Sequence, residues 1–446
     1  MRIAGGTAKI FRVLSNCFQF FYKKFKMLRA IYSLILYLII PFILLRLLWR
    51  GCKMRDYWQR WHERFGFTTL PPGCLWIHAV SVGEFQAAIP LIQQIKYRHP
   101  HLAILVTTMT VTGSQRVQAV FGDQVHHAYL PYDLPDAVAR FLQRVQPSLL
   151  ILMETELWFN LLHHCQQRHI PVILANARLS EPSARGYHKI AMITRKMFNA
   201  INEIAAQTAQ DAQRFIDLGM KPAKVHLIGN IKFDARLPED LAIRAQQLRQ
   251  SFGTRPIWIA ASTHDEEEVQ VLAAFAEIIR QLPETLLILV PRHPERFVKV
   301  ANLCEKSGYS VVKRSEATPC SAATQIYLGD TMGELILLYA VSDVAFIGGS
   351  LVAVGGHNML EAAAVGVPVI FGTQIFNFAE IGQNLLAINA AHQITNAAEL
   401  AAIVVDYLSY PELRNQVGQR GLQFVQQNQG ALARLIQLMT PYLNRN

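Results

Sequence analysis

Short runs of apolar residues recur along the chain after residue 60, and between them lie longer segments in which apolar residues have helical spacing. Uninterrupted apolar runs are typical of strands buried on both faces of a parallel sheet, and amphipathic segments are typical of the helices that connect such strands. This alternation predicts an α/β protein. The first series of runs comprises residues 76–80, 102–109, 148–154, 171–177, 203–208 and 225–230.

The alternation stops at a polar stretch rich in Arg and Gln, from about residue 235 to 252, and then starts again. Two series of β-α units predict two parallel sheets with right-handed crossovers. We therefore expect two Rossmann-like domains facing a cleft, an N-terminal one over residues 51–238 and a C-terminal one over residues 239–446. The second series of runs comprises residues 257–262, 286–293, 344–350 and 367–372.

The first fifty residues have a different pattern. Residues 30–45 carry no charge, which is shorter than the ~20 residues that cross a bilayer, although the run extends to Trp49 if Arg46 reaches the interface with its charged end. No small-residue cleavage site follows, so we expect residues 27–50 to be a retained membrane anchor. A marginal membrane span and a helix lying in the interface both fit these residues.

Charge is distributed unevenly along the chain. The formal net charge is +11, yet residues 1–55 contain 11 Lys and Arg and no Asp or Glu, so the remainder is balanced. Basic residues beside an apolar segment indicate an anionic membrane surface as partner, and no nucleic acid is expected. If translation starts at Met27, the positive-inside rule places the body on the cytoplasmic side of the inner membrane. Residues 1–26 are then a basic extension outside the functional unit, or alternatively an amphipathic arm.

Cysteine and histidine give no indication of a metal site. The six cysteines are scattered without a C-x-x-C pair, which is typical of free thiols in a reducing compartment. The adjacent histidines at 126–127 and at 163–164 have no third ligand at a suitable spacing. We expect neither a metal nor a cofactor.

Glu84 lies where the first apolar run meets the first helix, in the sequence "WIHAVSVGEFQAAIPLI" of residues 76–92. Open α/β sheets bind their ligands at this carboxyl end of the strands. An acid in the first turn of a helix also interacts favourably with the helix dipole. Glu84 therefore has two interpretations, a helix-capping acid and a chemical group, and we expect the helix start to keep the carboxylate ionised.

The second half contains a glycine-rich segment, "FIGGSLVAVGGHNMLEAAAVGVPVIFG" at 346–372, that is suited to a phosphate. Glycines allow a ligand to approach the backbone, and the helix expected over residues 359–365 would offer N–H groups at its start. Neither a Walker P-loop nor a G-x-G-x-x-G motif is present. The alternative is a structural turn with Asn358 as helix cap.

Other charged groups follow predicted strands. Arg292 ends a strand, where its guanidinium suits an anion, and the acids 266–268 are expected to favour a helix start. In the first half, Glu154 and Glu156 end one strand, and the segments after it supply Asn176, Arg178 and Arg185. Such groups suit an acceptor that carries hydroxyls and phosphates. Ordinary salt bridges are the alternative for these acids and arginines.

Taken together, nine motifs are similar to those of the 3-deoxy-D-manno-octulosonic acid (Kdo) transferases of Gram-negative lipopolysaccharide synthesis. The resemblance runs from about Met27 to the C-terminus. It departs from the family at Met359, where Pro is common, and at Asp265, where Gly is usual, so Ser262 and His264 receive no role. The motifs are "HAVSVGE", "TTMTVTGSQR", "YLPYDLP", "METELWFN", "NARLS", "STHDEEE", "PRHPERF", "GDTMGELILLY" and "GGSLVAVGGHNMLEAA".

The resemblance implies an inverting GT-B glycosyltransferase that moves Kdo from CMP-Kdo to a tetra-acylated disaccharide lipid A precursor. By analogy Glu84 is the catalytic base. The family resemblance does not decide how many Kdo residues are added. The CMP contacts implied by the resemblance fall on Arg292 and His293, on Gly333, Glu334 and Leu335, and on Asn358, Met359, Leu360 and Glu361.

Two other functions are also compatible with the sequence. One is a transferase of the same two-domain class that uses another nucleotide sugar, such as UDP-GlcNAc. The other is a membrane scaffold without enzymatic activity, for which Glu84 would be dispensable.

Overall fold

The computed structural model describes residues 4–53, 55–234, 237–316 and 318–444, and in its first helix the side chains only from Met27 to Cys52. The side chains of the predicted basic extension, residues 1–26, therefore lie outside the described residues. The chain forms two compact units. The first contains the residues up to Asp234 together with those from Gly430 onward, and the second runs from Ala235 to Gln429.

The first unit is built on a seven-stranded sheet in the order β3-β2-β1-β4-β5-β6-β7, and all its strand pairs are parallel. β1, β2, β4 and β5 are buried along their whole length, which explains their uninterrupted apolar sequences. The strands are β1 Leu75–His78, β2 Ile104–Thr108, β3 His126–Tyr129, β4 Leu149–Met153, β5 Val172–Ala177, β6 Glu203–Ala206 and β7 Val225–Leu227.

Helices cover both faces of this sheet and form one apolar core on each side. Several begin at a Ser or Thr whose hydroxyl accepts a backbone N–H from the first turn, among them Ser81, Thr110 and Thr208. The helices of the first unit are α1 Ala4–Lys53, α2 Val82–Arg98, α3 Val111–Phe121, α4 Pro135–Val145, α5 Phe159–Gln167, α6 Glu181–Lys189, α7 Ala191–Asn199, α8 Ala209–Asp217 and, at the end of the chain, α17 Ala431–Leu443.

The second unit repeats this architecture with a parallel sheet in the order β10-β11-β9-β8-β12-β13-β14. Its strands are β8 Ile257–Thr263, β9 Leu286–Pro291, β10 Val311–Lys313, β11 Ile326–Leu328, β12 Val344–Ile347, β13 Val369–Phe371 and β14 Ala391–Gln393. Its helices are α9 Leu241–Phe252, α10 Glu267–Gln281, α11 Phe297–Lys306, α12 Leu335–Ala340, α13 Leu360–Ala364, α14 Ala379–Ala387, α15 Ala397–Ser409 and α16 Pro411–Asn428.

The prediction of two Rossmann-like units with parallel sheets is confirmed. Four strands, β3, β10, β11 and β14, were not predicted. β3, β10 and β14 lie at sheet edges and are partly exposed, so they lack an apolar run, while β11 has only three residues. Most of the stretch at 235–252 that interrupts the alternation is the helix α9 of the second unit.

The domain boundary predicted at the C-terminus differs from the structure. We expected the C-terminal domain to extend to residue 446, whereas α17 packs on the first unit. Asp234 accepts the N–H groups of Gly430 and Leu432, at 2.5 and 2.7 Å. Leu435 and Met439 of α17 are fully buried in the core of the first unit, in one cluster with residues of β1 and α2. The apolar face of α17 therefore completes the first core.

α1 contains one segment, Met27–Cys52, that is long and apolar enough to cross a membrane by length and composition. This segment has a mean hydropathy of 2.4, and little of it is buried by the rest of the chain.

Replacing Asp234 with Ala should release the start of α17 from the first unit. Two backbone N–H groups lose their acceptor, and loss of such a cap costs ~1–2 kcal/mol of the free energy of unfolding. Urea unfolding of the purified chain, followed by far-UV circular dichroism, measures this change. Asp123→Ala, an exposed acid of the same unit, should change stability by less than ~0.5 kcal/mol. Equal stability of the two variants would contradict the docking of α17.

Candidate functional site

Glu84 lies in the first turn of α2, three residues after the N-cap Ser81. The Ser81 hydroxyl donates to Glu84 Oε1 at 3.0 Å, and the backbone N–H of Val80 donates to Oε2 at 2.8 Å. The Glu84 N–H in turn donates to Ser81 Oγ at 3.4 Å. This reciprocal pattern resembles a capping box. It holds the carboxylate at the carboxyl edge of the sheet, beyond the end of β1.

The protonation of Glu84 differs from the expectation that the helix start keeps it ionised. The side chain is buried, and burial raises its pKa to about 7. The Val80 N–H opposes this shift, whereas the charges of Glu154 and Glu156 add to it. Desolvation and neighbouring acids together outweigh the hydrogen bonds to the cap. A carboxyl group with a pKa near neutrality can both accept and release a proton at physiological pH.

The acids and amides around Glu84 come from the neighbouring strand ends, as parallel topology requires. Glu154 follows β4 with a left-handed backbone, φ 57°, and its Oε1 lies 3.5 Å from Nζ of Lys232. Burial raises the pKa of Glu156. Glu154 therefore forms its salt bridge with Lys232, and not with one of the arginines considered as its partner. Arg185 instead pairs loosely with the exposed Glu181, at 3.8 Å.

Asn176 occupies the corresponding position at the end of β5. It also has a left-handed backbone, φ 52°, and is fully buried. Its Oδ1 accepts the N–H of Ile231 at 3.1 Å, while its Nδ2 has no hydrogen-bond partner in the described part of the chain. A buried amide N–H₂ without an acceptor is energetically costly, so Asn176 carries an unsatisfied donor at this strand end.

In the second unit, Glu267 organises the glycine turn that follows β12. Its carboxylate accepts the backbone N–H groups of Gly349, Ser350 and Leu351, at 2.7–3.1 Å, and that of His264 at 3.2 Å. A Cβ at Gly348 would lie 2.6 Å from the Ser262 carbonyl oxygen, so only glycine fits there. The predicted helix start at 266–268 is confirmed. Its function in fixing the glycine turn was not predicted.

Three histidines and Arg292 lie together beside this turn. The Nε2 atoms of His264 and His357 are 2.7 Å apart, and the His293 ring contacts that of His264 edge-on at 5.4 Å between centroids. Burial lowers the pKa of His264 to about 4 and that of His357 to about 3, and the Arg292 charge acts in the same direction. Both rings are therefore neutral at pH 7 and share one N–H between them.

The turn at 358–361 joins the same cluster. The Asn358 side chain accepts the Leu360 N–H at 3.1 Å and donates to Glu361 at 3.0 Å, so Asn358 caps this turn. Met359 is fully buried. Burial raises the pKa of Glu361, while Asn358 and the nearby Arg292 oppose the shift. The predicted helix is shorter than expected, since α13 comprises only Leu360–Ala364. A helix this short has few aligned peptide dipoles, so the positive charge at its start is weaker than the sequence indicated.

The segment from Gly333 to Leu335 follows β11, at the same edge of the sheet. Gly333 has φ 85°, a left-handed conformation that favours glycine, and Leu335 begins α12. The Glu334 carboxylate accepts hydrogen bonds from Nε and Nη2 of Arg314, at 2.9 and 2.8 Å, and from Thr331 Oγ1 at 2.5 Å. The hydrogen bonds from Arg314 lower the pKa of Glu334 to about 2. The side chain of Glu334 therefore fixes the loop.

The structure places all the predicted nucleotide-contact residues after β9, β11 and β12, which end at one edge of the second sheet. His264 connects two of these segments, because its ring contacts both His293 and His357, and His357 directly precedes the 358–361 turn. The charge of Arg292 also acts on His357. Glu334 is held separately by Arg314. Among the described residues, no group of three or more His, Cys, Asp or Glu side chains could hold a metal ion.

Comparison with known proteins identifies the family. Residues 59–235 match the sequence profile of the family described as 3-deoxy-D-manno-octulosonic-acid transferase. A 3-deoxy-D-manno-octulosonic acid transferase of Haemophilus influenzae is 44% identical over 94% of this chain and 100% of its own length. The chain belongs to the Kdo transferase family. The Kdo transferase of Bordetella pertussis is 32% identical, over 93% of this chain and 99% of its own.

Solved structures support the fold of this Kdo transferase. UDP-GlcNAc 2-epimerase of Neisseria meningitidis covers 84% of this chain and 100% of its own, with a TM-score of 0.53 and 13% sequence identity. At this identity the likeness concerns the fold alone, which is the GT-B architecture of two Rossmann-like units. The predicted family, fold class and enzymatic character are thereby confirmed.

The contacts of His264, Glu267 and Arg314 were missed by sequence reasoning. Each interaction joins residues that are distant in the chain: His264 reaches His357, and Glu267 reaches residues 349–351. The sequence did indicate that His264 and Glu267 follow a strand, and therefore that they lie at one edge of the sheet. Their pairing depends on strand order, which a single sequence does not reveal.

Replacing Glu267 with Gln should loosen the glycine turn. An amide group presents N–H to at least one pair of backbone donors that now share a carboxylate oxygen, so those hydrogen bonds are lost. Each hydrogen bond to a charged group contributes ~1.5–3 kcal/mol, so amides 349–351 should exchange about tenfold faster or more. Hydrogen–deuterium exchange mass spectrometry measures this rate. Glu277→Gln, an exposed change on the same helix, should leave exchange unaltered. Unchanged protection at 349–351 in the Glu267 variant would refute this function of Glu267.

Proposed function

We propose that this Kdo transferase moves Kdo from CMP-Kdo to the tetra-acylated disaccharide lipid A precursor with inversion at the anomeric carbon. Membership of the family supports Kdo transfer itself. The observation that carries the mechanism is the buried Glu84 carboxyl group, with its pKa near 7 at the carboxyl edge of the first sheet. The donor, the acceptor and the stereochemistry rest on the resemblance to the family.

Glu84 is the proposed general base. A sugar hydroxyl is a weak nucleophile, and a carboxylate within hydrogen-bond reach can accept its proton as the new glycosidic bond forms. Ser81 and the Val80 N–H hold the carboxylate in one orientation, which fixes the direction of proton transfer. In an inverting displacement one base is sufficient, and no covalent enzyme intermediate forms. Glu154 and Lys232, which are partly exposed, supply charged groups for the acceptor beside Glu84.

The second unit is the proposed donor site. Arg292 is half-buried, and its positive charge acts on the pKa values of His264, His357 and Glu361. We assign it to the phosphate or carboxylate of CMP-Kdo, because guanidinium binds such oxyanions with two parallel hydrogen bonds. The turns at 333–335 and 358–361 would contact the nucleotide through backbone groups. Arginine would also stabilise the charge that develops on the departing CMP.

The proposed location is the cytoplasmic side of the inner membrane. The apolar segment Met27–Cys52 supports membrane association. The side rests on the basic residues beside this segment, since the cytoplasmic leaflet carries anionic lipids that attract Lys and Arg. The acceptor is a lipid, so only its sugar end has to reach Glu84. No metal or cofactor is assigned to the reaction.

Incubation of the purified chain with CMP-Kdo and the lipid A precursor should yield Kdo-modified lipid, which mass spectrometry of the product detects and counts. UDP-GlcNAc in place of CMP-Kdo should yield none. Transfer from UDP-GlcNAc alone would favour the rival transferase function. A chain that transfers neither sugar but is required in cells would favour a scaffold.

Glu84→Gln should lower kcat/KM for Kdo transfer by roughly 10²-fold or more, because an amide cannot accept the proton. In the unsubstituted chain, activity should rise with pH through about 7. The sign follows from the raised pKa: below it the carboxyl group is protonated and inactive as a base, and above it the carboxylate is ionised. Rates measured from about pH 4 to 9 test this expectation.

The matched control for Glu84 is Glu181→Gln, the same change in the first turn of the exposed helix α6. It should retain the rate and the pH profile of the unsubstituted chain. Full activity of the Glu84 variant, or a profile that rises near pH 4.5 as for an exposed glutamate, would overturn the assignment of the base.

Arg292→Ala should weaken CMP binding by about 10- to 100-fold, since a hydrogen bond to an ionised group contributes ~1.5–3 kcal/mol. Isothermal titration of the full chain with CMP measures the dissociation constant. Arg280→Ala removes an exposed arginine of α10 that pairs with Glu277, and it should bind CMP normally. Equal affinities of the two variants would remove Arg292 from the donor site.

A further inference from the structure

Hydrogen bonds join the apolar helix α1 to the rest of the first unit. The Tyr32 hydroxyl donates to Asp133 Oδ2 at 2.9 Å, and the Tyr37 hydroxyl donates to Asp136 Oδ1 at 2.5 Å. Between them, Ser33 is buried and exchanges hydrogen bonds with the Asn160 side chain, at 3.2–3.4 Å. These contacts lie within the segment Met27–Cys52, which could cross a membrane by composition.

The receiving groups on the first unit are themselves fixed. Asp133 is buried and also accepts the backbone N–H groups of Asn160 and Leu161, at 2.9 and 2.7 Å. Asn160 donates in turn to the Asp133 carbonyl oxygen. The Tyr32 ring packs edge-on against Phe159, with 5.6 Å between centroids. This is a specific docking site made of buried polar groups that need their partners.

The chain that leaves α1 returns to the same unit. The Trp58 indole donates to the carbonyl oxygen of Leu48 and lies so close to Gly51 that a Cβ there would overlap it. Asp56 accepts from the Gln115 side chain at 2.8 Å, and Arg60 donates to the carbonyl oxygen of His127. The first unit therefore holds the chain on both sides of residues 38–52.

The apolar side chains of α1 are less exposed on one face of the helix than on the other. The less exposed apolar positions recur at intervals of three or four residues, which is the period of a helix face. The most exposed large side chains lie between them, with Leu38 64%, Phe42 72% and Leu45 63% exposed. The covered face continues past the hydrogen-bonded residues to the end of the helix. Its members are Leu28, Tyr32, Leu36, Ile40, Ile43, Leu44 and Leu47.

We propose that the segment Met27–Cys52 lies in the plane of a single membrane leaflet and does not cross the bilayer. A crossing helix carries its two ends to opposite sides of a hydrocarbon core ~30 Å thick. Here one water-exposed unit binds the helix at Tyr32 and Tyr37 and holds the chain again at Asp56. The axis of α1 therefore runs along the surface of that unit, and its outward apolar face is left for lipid.

The chemistry of the outward surface fits a leaflet with anionic headgroups. Arg46 and Arg50 are exposed beside the apolar face, and residues 1–55 contain no acid to oppose them. Trp58 and Trp61 are about half exposed next to the end of α1. Tryptophan and arginine of this kind are typical of helices that lie at the boundary between headgroups and acyl chains.

Spin labels placed on α1 test this arrangement, which rests on the membrane location proposed above. Leu38→Cys and Leu45→Cys put a label on the outward face, and Leu36→Cys and Leu47→Cys put one on the covered face. The full chain is bound to vesicles that contain phosphatidylglycerol, and the depth of each label is measured from its accessibility to oxygen and to a water-soluble nickel chelate. Labelling of the unsubstituted chain gives the background from its own cysteines.

An in-plane helix places the labels at 38 and 45 at equal depth and those at 36 and 47 nearer to water. A depth that changes steadily along the helix, alike on both faces, would overturn the in-plane arrangement while leaving membrane association intact. Labels at 38 and 45 that are shielded from both reagents would show a second protein copy on this face and would also overturn it. A chain that does not bind the vesicles would refute the membrane location itself, whereas Kdo transfer to detergent-dispersed acceptor is measured separately.

Discussion

The backbone N–H groups of the loops around a parallel sheet need hydrogen-bond acceptors. In this protein buried carboxylates accept many of these N–H groups. Glu267 accepts four such groups around the glycine turn, and Glu84 accepts the Val80 N–H beside α2. Asp133 accepts the N–H groups of residues 160 and 161, and Asp211 accepts that of residue 179. Buried loops with unsatisfied N–H groups would be unstable, so the loops that carry the chemistry depend on these acids.

The same arrangement determines the proton affinity of the acids. A carboxylate taken out of water is costly, and hydrogen bonds from the backbone offset only part of that cost. The balance differs between sites. Glu334 is bound by Arg314 and has a low pKa, whereas Glu84 is bound by the neutral donors of Ser81 and Val80 and lies near other acids. The same residue type therefore has a pKa of about 2 in one loop and about 7 in another.

Sequence patterns predicted the interior of both sheets, because buried parallel strands leave long apolar runs. They also predicted that the candidate site residues follow the carboxyl ends of strands. Edge strands such as β3 and β14 left no such run, since their residues are partly exposed. The cap at Asn358 could be predicted locally, as the alternative to a phosphate-binding turn, whereas the cap at Ser81 was not predicted. Contacts between distant residues, such as that of His264 with His357, depend on strand order and could not be predicted from local spacing.

The hydrogen bonds from Gly430 and Leu432 to Asp234 have a consequence for the order of folding. The first unit is interrupted by the whole of the second, and its core lacks Leu435 and Met439 until the last residues have been made. During synthesis from the N-terminus, the second unit can therefore be complete before the first. A ribosome that stops near residue 429 would release a chain whose second unit is intact but whose first core is open to water.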